Sequence, residues 1–203
     1  MSIENNTVHG ICNLDGALVP IYILGKRLPL YRGSSHPGGH WEPAPPHMRN
    51  QRCDPPDGCG GEYALLYLGE SEPTVEFEMR RLISVKTDGG EELGRTFQPG
   101  RQATLAVHLS KGPIAFVDLD SPYLGPEYPS VNGGKDEIQK WRRLTQMVYR
   151  RLKAHVGDLA VPIVGVTYRS QSRGCNGRVF AMFVEFRDGV LERGAPMPFT
   201  VDK

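Results

Sequence analysis

Very little in this 203-residue chain is in excess. Its net charge is +1, from 24 basic and 23 acidic side chains, so no overall field draws it toward nucleic acid. No stretch approaches the roughly 20 apolar residues of a membrane-spanning helix. Met1-Ser2-Ile3-Glu4-Asn5-Asn6 is polar and lacks the basic and apolar blocks of a secretory signal. The four cysteines, Cys12, Cys53, Cys59 and Cys175, are too unevenly spaced for a disulfide framework, and a reducing cytoplasm is the expected compartment. There is no internal repeat and no break in composition, so residues 1–203 read as a single domain, with length for one sizeable core and hardly for two. No Gly-X-Gly-X-X-Gly follows a strand candidate and no Walker motif is present, which disfavours a Rossmann dehydrogenase or a P-loop enzyme.

What the chain does have is loop formers and short apolar runs. Its 24 glycines and 17 prolines imply long connections, concentrated at residues 33–61 and 110–135. Leu18 to Leu24 reads as an edge strand or a first helical turn. Ala64 to Leu68 is an apolar run of strand length. Ser71 is a candidate N-cap, with Glu72 and Pro73 in a favoured first turn, and a helix is expected over about 72–83. Gln102 to Leu109 and Pro113 to Leu119 read as strands joined by a Ser110-Lys111-Gly112 turn, and 121–134 as a connection. Lys135 to Val156 is the longest helix candidate, with Ile138, Trp141, Leu144, Val148 and Leu152 in one stripe and Gly157 ending it. Ala160 to Tyr168 and Arg178 to Phe186 complete the strands. The fold class is α+β, a mixed domain with sheet and helices around one core.

Three polar patches stand beside these apolar segments: Tyr31-Arg32-Gly33-Ser34, Tyr67-Leu68-Gly69 through Glu78, and Tyr168-Arg169-Ser170 with Asn176 in the loop beyond. On the predicted helix Val75, Glu78, Met79 and Leu82 share a face, so Glu78 is expected within the apolar stripe and Glu76 and Arg80 toward solvent. A carboxylate on a buried face is costly unless paired or used; a helix-edge glutamate bonded to an arginine fits the pattern equally. Arg32 and Arg52 offer planar forks suited to a pyrophosphate, and also read as salt-bridge residues. Tyr67 suits stacking on a base or ordinary core packing. Ser170 reads as a phosphate or ribose contact or as a turn serine. His36, His40, His47, Cys53 and Cys59 include enough ligand types for zinc, but no Cys-X2-Cys pair or regular histidine spacing supports a metal site, and a loose loop over the site is the plainer reading. Cys53 beside Arg52 invites a lowered pKa. The basic face of the long helix (Lys140, Arg142, Arg143, Arg150, Arg151, Lys153) is the best support for a nucleic-acid reading, though no stacking aromatics are interleaved with it.

Taken in order, the patches resemble the RES family, named for an Arg, a Glu and a Ser and known for toxins that consume NAD. The family's first arginine matches Arg32 in Tyr31-Arg32. Its arginine turn matches Arg52-Cys53-Asp54, with Cys53 a departure. Its tyrosine segment and following glutamate match Tyr67-Leu68-Gly69 and Glu78. Its tyrosine-X-serine and later asparagine match Tyr168, Ser170 and Asn176, and its next apolar strand Val179 to Phe183. The match spans about residues 28–186, with longer segments at 33–61 and between Glu78 and Ser170 than a compact member needs. The resemblance implies a fold related to ADP-ribosyltransferases, with a mixed, split β-sheet flanked by helices and a cleft, and a cytoplasmic enzyme that cleaves the nicotinamide–ribose bond of NAD. Glu78, Arg32 and Tyr67 would be catalytic, and Arg52, Tyr31, Ser170 and Asn176 would bind substrate. NAD would be substrate rather than cofactor, with no metal. Water, inorganic phosphate or a protein side chain would be the acceptor. A helix-turn-helix antitoxin would be the partner, with no membrane and no direct nucleic-acid contact. Two other readings stand beside this: an ADP-ribosyltransferase acting on a protein, and a nucleotide- or partner-binding module without turnover.

Overall fold

A computed structural model of the chain describes residues 7–36, 38–79, 82–87, 90–95, 103–124, 135–170, 172 and 174–199. The elements run β1 (Thr7–Leu14), β2 (Ala17–Leu24), β3 (Pro29–Ser34), β4 (Leu65–Gly69), α1 (Glu72–Glu78), β5 (Leu82–Thr87), β6 (Gly90–Arg95), β7 (Thr104–Ser110) and β8 (Ile114–Asp118). There follow α2 (Lys135–Ala154), β9 (Ile163–Arg169), β10 (Arg178–Phe183), α3 (Val184–Val190), β11 (Leu191–Glu192) and β12 (Pro196–Pro198). The main sheet has the order β1-β2-β8-β9-β10-β4-β3-β7-β11, with β12 also paired to β7; β5 and β6 form a separate hairpin. This is a mixed α/β domain, with one parallel pair, β8 and β9, in the main sheet. The crossover between them contains α2, as a parallel connection requires.

The sheet is curled, and chain length shows why it must be. β7 and β8 stand five places apart in the strand order, about 24 Å in a flat sheet. Only residues 111–113 join them, a reach of at most about 14 Å. The two strands read around the 110–112 turn therefore exist but do not pair with each other: β7 pairs with β3 and β8 with β2.

Strand alternation builds a core on each face. Ala115, Val117, Ile163, Val166, Val179, Ala181 and Phe183 join the core that takes in Trp141, Leu144 and Val148 of α2. Their neighbours Ile114, Phe116, Val164, Phe180 and Met182 pack with Leu66 and Leu68 in the second core. Strands buried on both faces lose the polar half of the period-two pattern, which is why these segments are continuous apolar runs.

Several boundaries differ from expectation. Leu18 to Leu24 lies inside the sheet, because β1 pairs outside it through the Asp15-Gly16 turn, where both residues have positive φ. The helix expected over 72–83 ends at Glu78, and Leu82 and Ile83 belong to β5. Residues 184–186 are helical rather than extended. Met1–Asn6, Arg80 and the part of the 121–134 connection from 125 onward lie outside the described residues.

Segment 33–61 opens on the last two residues of β3 and is then irregular, among the described residues, apart from a 3₁₀ turn at Pro46–Met48, but it is not loose. Trp41, Cys53 and Asp54 are buried. Three arginines fasten it from three sides. Arg32 on β3 donates to the carbonyls of Gly39 (2.9 Å) and Glu42 (3.3 Å). Arg142 on α2 donates to Gln51 O (3.2 Å) and pairs with Asp57 at 2.9 Å. Arg187 on α3 donates to Trp41 O and pairs with Glu42 at 3.0 Å. His108 on β7 adds a fourth tie. Gly194 N donates to its Nδ1 (3.0 Å), so Nε2 carries the proton and donates to His40 O (2.8 Å).

Helix α1 sits on glycines. A Cβ at Gly33 would meet the Met79 sulfur and lie 2.5 Å from Val75 Cγ1, and one at Gly177 would overlap the Thr74 hydroxyl. Gly33→Ala should therefore lower stability in urea denaturation by about 1–3 kcal/mol, the usual cost of overpacking; an unchanged midpoint would mean that α1 shifts freely. Burial lowers the His108 pKa to about 4, against roughly 6.5 unfolded. Above pH 6.5 both states are neutral there. Between 6.5 and 4 the unfolded chain binds the extra proton, so stability drops as the pH is lowered, by up to about 3 kcal/mol from this group. His108→Gln should flatten that part of the stability profile, and an unaltered slope would place the dependence elsewhere.

Candidate active site

Four of the seven predicted site residues, Arg32, Arg52, Tyr67 and Glu78, line a cavity of about 570 Å³ between segment 33–61, β4 and α1, within the roughly 300–1,000 Å³ of small-molecule sites. Leu65, Tyr67, Tyr168 and Val179 line it from the α2 side of the sheet, and Arg32, Arg52 and Glu78 complete the predicted set on its wall. Ser170, Tyr31 and Asn176 are not on that wall. Ser170 is buried just behind it, Tyr31 packs against the small core of Val75, Ala103, Leu105 and Phe199, and Asn176 is exposed.

Glu78 ends α1, which Ser71 caps by accepting from Thr74 N at 3.3 Å. The face assignment from spacing is reversed: Glu78 is exposed at the cavity, whereas Glu76 is buried. With only seven residues the helix docks through Thr74, Val75 and Phe77, carrying Glu76 inward and leaving its last residue at the mouth. There Ser170 Oγ donates to Glu78 Oε1, and Ser172 Oγ approaches the same oxygen at 3.4 Å. Ser172 also donates its backbone N–H to Ser170 Oγ at 3.2 Å. Two hydroxyls from the β9–β10 loop thus orient one carboxylate oxygen. Ser172, on the cavity wall, was missed because serine in a turn is unremarkable in sequence.

Arg32 lies 6% exposed. Its Nε and Nη2 hold the loop carbonyls, and Nη1 donates to Tyr67 O at 2.9 Å. Burial lowers its pKa to about 10, still far above neutrality. The guanidinium therefore stays charged while fixing β3, β4 and the loop together. Arg52 is half-buried and makes no hydrogen bond or ion pair among the described residues. Tyr67 accepts from Cys53 N and donates to Asp54 Oδ1, both at 3.2 Å, so its hydroxyl is anchored while the residue lines the cavity. Asp54 also accepts from Gln51 N at 2.7 Å. Burial raises the Asp54 pKa, and the Gln51 and Tyr67 hydrogen bonds oppose the rise. Asp54 and Arg49, a further arginine on the wall, carried no role in the sequence; only their two- and three-residue spacing from Arg52 marked them.

The lowered pKa expected for Cys53 is reversed. The thiol is fully buried, and desolvation pushes it up to about 12 despite Arg52 nearby. All four cysteines are free. Among the described residues no three His, Cys, Asp or Glu side chains gather as a metal-binding group, and no helix is long and apolar enough to cross a membrane. The basic face of α2 is largely engaged: Arg142 holds the loop, Arg150 pairs with Glu62 at 2.6 Å, Lys153 with Glu185 at 3.2 Å, and Arg151 donates to Asp15 O.

Comparison with known protein families, with curated proteins and with solved structures finds no match to this chain.

In the native protein Cys53 should resist maleimide while the half-buried Cys12, Cys59 and Cys175 react, and should label only on unfolding. Mass spectrometry after a short exposure checks this; early modification of Cys53 would contradict the closed packing of the 51–54 turn.

Proposed function

We propose that the cavity binds NAD and cleaves its nicotinamide–ribose bond, the activity that resemblance to the RES family implies, within a fold of the ADP-ribosyltransferase type. The observation that carries this reading is the Glu78–Ser170 pair at the mouth of a cavity walled by Arg32, Arg52 and Tyr67. Glu78 Oε1 is oriented by the two serines, leaving Oε2 to accept from the ribose hydroxyls. The C1′–N bond breaks with its electron pair going to nicotinamide, which leaves neutral. Positive charge develops on the ribosyl carbon and ring oxygen, and a fixed carboxylate stabilises it. Tyr67, its hydroxyl already held, presents its ring to the nicotinamide. Arg52 faces the phosphates.

The acceptor supplies the electron pair of the new bond to C1′, and any proton on its attacking atom is lost to solvent. Water yields ADP-ribose, inorganic phosphate yields ADP-ribose 1″-phosphate, and a protein side chain yields an ADP-ribosylated protein. Such an enzyme drains NAD, so a neutralising partner, in the family commonly a helix-turn-helix antitoxin, would cover the cavity mouth.

Chromatography of nicotinamide released from NAD, with and without phosphate, tests the reading. Wild type should release it, and Glu78→Gln should do so about 10²–10³-fold more slowly, the usual loss for an electrostatic stabiliser. Phosphate dependence names the acceptor. Full activity in Glu78→Gln would remove the site assignment, and NAD bound but never cleaved by wild type would make the protein a binding module.

A further inference from the structure

Three arginines, Arg32, Arg49 and Arg52, line the cavity, against two carboxylates, Asp54 and Glu78. Among the described residues none of the three is ion-paired; the arginine ion pairs belong to Arg27, Arg142, Arg150, Arg178 and Arg187. A guanidinium has five N–H donors. Arg32 gives three of them to backbone carbonyls and is almost fully buried, so its fork is committed to the protein. Arg49 is half-buried and anchored at its base: Nε donates to Ala44 O at 2.9 Å and Nη1 to Gly60 O at 3.4 Å. Both protons on Nη2 and one on Nη1 remain. Arg52 gives none of its five to a described residue.

Arg49 and Arg52 are three residues apart, on a turn that Asp54 closes by accepting from Gln51 N. Arg142 grips the same turn at Gln51 O. Two unpaired forks are thus carried on one rigid segment. His36, also on the wall, is held toward neutrality by burial and by Arg32, so it adds no further cation. One phosphate occupies one fork; two forks on one turn suit two linked phosphates. Beyond Arg49 the wall turns apolar with Met48 and Ala44, surroundings fit for a base.

We propose that Arg49 and Arg52 form a diphosphate clamp, and that Arg49 makes the cavity select nucleotides with two linked phosphates, such as ADP-ribose, over nucleoside monophosphates. The clamp rests on the nucleotide-site reading above but not on the cleavage step. Arg32 is the positioning residue beneath it.

The test is equilibrium binding of ADP-ribose and of AMP to the full chain, by competition against a fluorescent nucleotide, for wild type, Arg49→Met and Arg49→Lys. Wild type should prefer ADP-ribose, and Arg49→Met should weaken ADP-ribose roughly 10- to 100-fold, the scale of lost charge-assisted hydrogen bonds, while AMP shifts by less than about threefold. Arg49→Lys, which keeps the charge without the fork, should recover part of the loss and serves alone if Arg49→Met does not fold. ADP-ribose binding that does not depend on residue 49, or no preference over AMP in wild type, overturns the clamp. The two readings fail separately. Arg49-dependent binding of ADP-ribose without nicotinamide release keeps the clamp and removes the cleavage. Nicotinamide release with ADP-ribose affinity unchanged in Arg49→Met does the reverse.

Discussion

The site depends on a buried cation with no ion-pair partner among the described residues. Taking a guanidinium out of water costs several kcal/mol. Arg32 offsets this with hydrogen bonds to the carbonyls of Gly39, Glu42 and Tyr67, and bonds to a charged group contribute roughly 1.5–3 kcal/mol each. Those carbonyls belong to two segments remote in sequence. One side chain therefore ties β4 to segment 33–61 and fixes one side of the cavity. Arg142 and Arg187 repeat the device from α2 and α3. A segment rich in proline and glycine makes no ladder of its own, so its carbonyls need donors from elsewhere, and these arginines are the donors.

The opposite side is set by steric absence. Gly33 and Gly177 let α1 approach its neighbours more closely than any side chain would permit, and the two-turn helix delivers Glu78 to the cavity at its last residue. The β9–β10 loop closes back on it through Ser170 N, which donates to Gly177 O at 2.8 Å. The same tight return brings Ser170 and Ser172 to one carboxylate oxygen. Helix and loop thus place the carboxylate from two directions, and a shift in either would misdirect it.

How much of this the sequence disclosed depended on the kind of signal. Long apolar stripes were legible: Trp141, Leu144 and Val148 mark α2, and the runs around Leu66, Phe116, Val166 and Phe180 mark doubly buried strands. Strand β1 was not, since its burial alternates weakly at a sheet edge, although Asp15-Gly16 was an available hairpin signal. Pairing was illegible because a three-residue link reads as a hairpin whether or not the sheet curls. Glu78 was identified for the wrong physical reason. Extending α1 to residue 83 put it on an apolar face, whereas it lies exposed at a short helix's end. Arg32, Arg52, Tyr67 and Glu78, picked out by type and order, line one cavity, but which of them have open donors is a matter of carbonyl geometry, which no spacing reveals.

That distinction separates two kinds of arginine in one cavity. A guanidinium that gives three of its five donors to carbonyls is buried and held in place, and its charge reaches a ligand mainly through the low-dielectric surroundings. One with open donors can bind a phosphate fork to fork. Arg32 is of the first kind and Arg52 of the second, with Arg49 between them, pinned at its base and open at its tip. Because Arg49 and Arg52 share a turn held by Asp54 and Arg142, little conformational freedom remains to be lost when an anion arrives. The loop that looked like an insertion over the site is, on the clamp proposal, the element that supplies an anion-binding wall, through two arginines three residues apart on one turn.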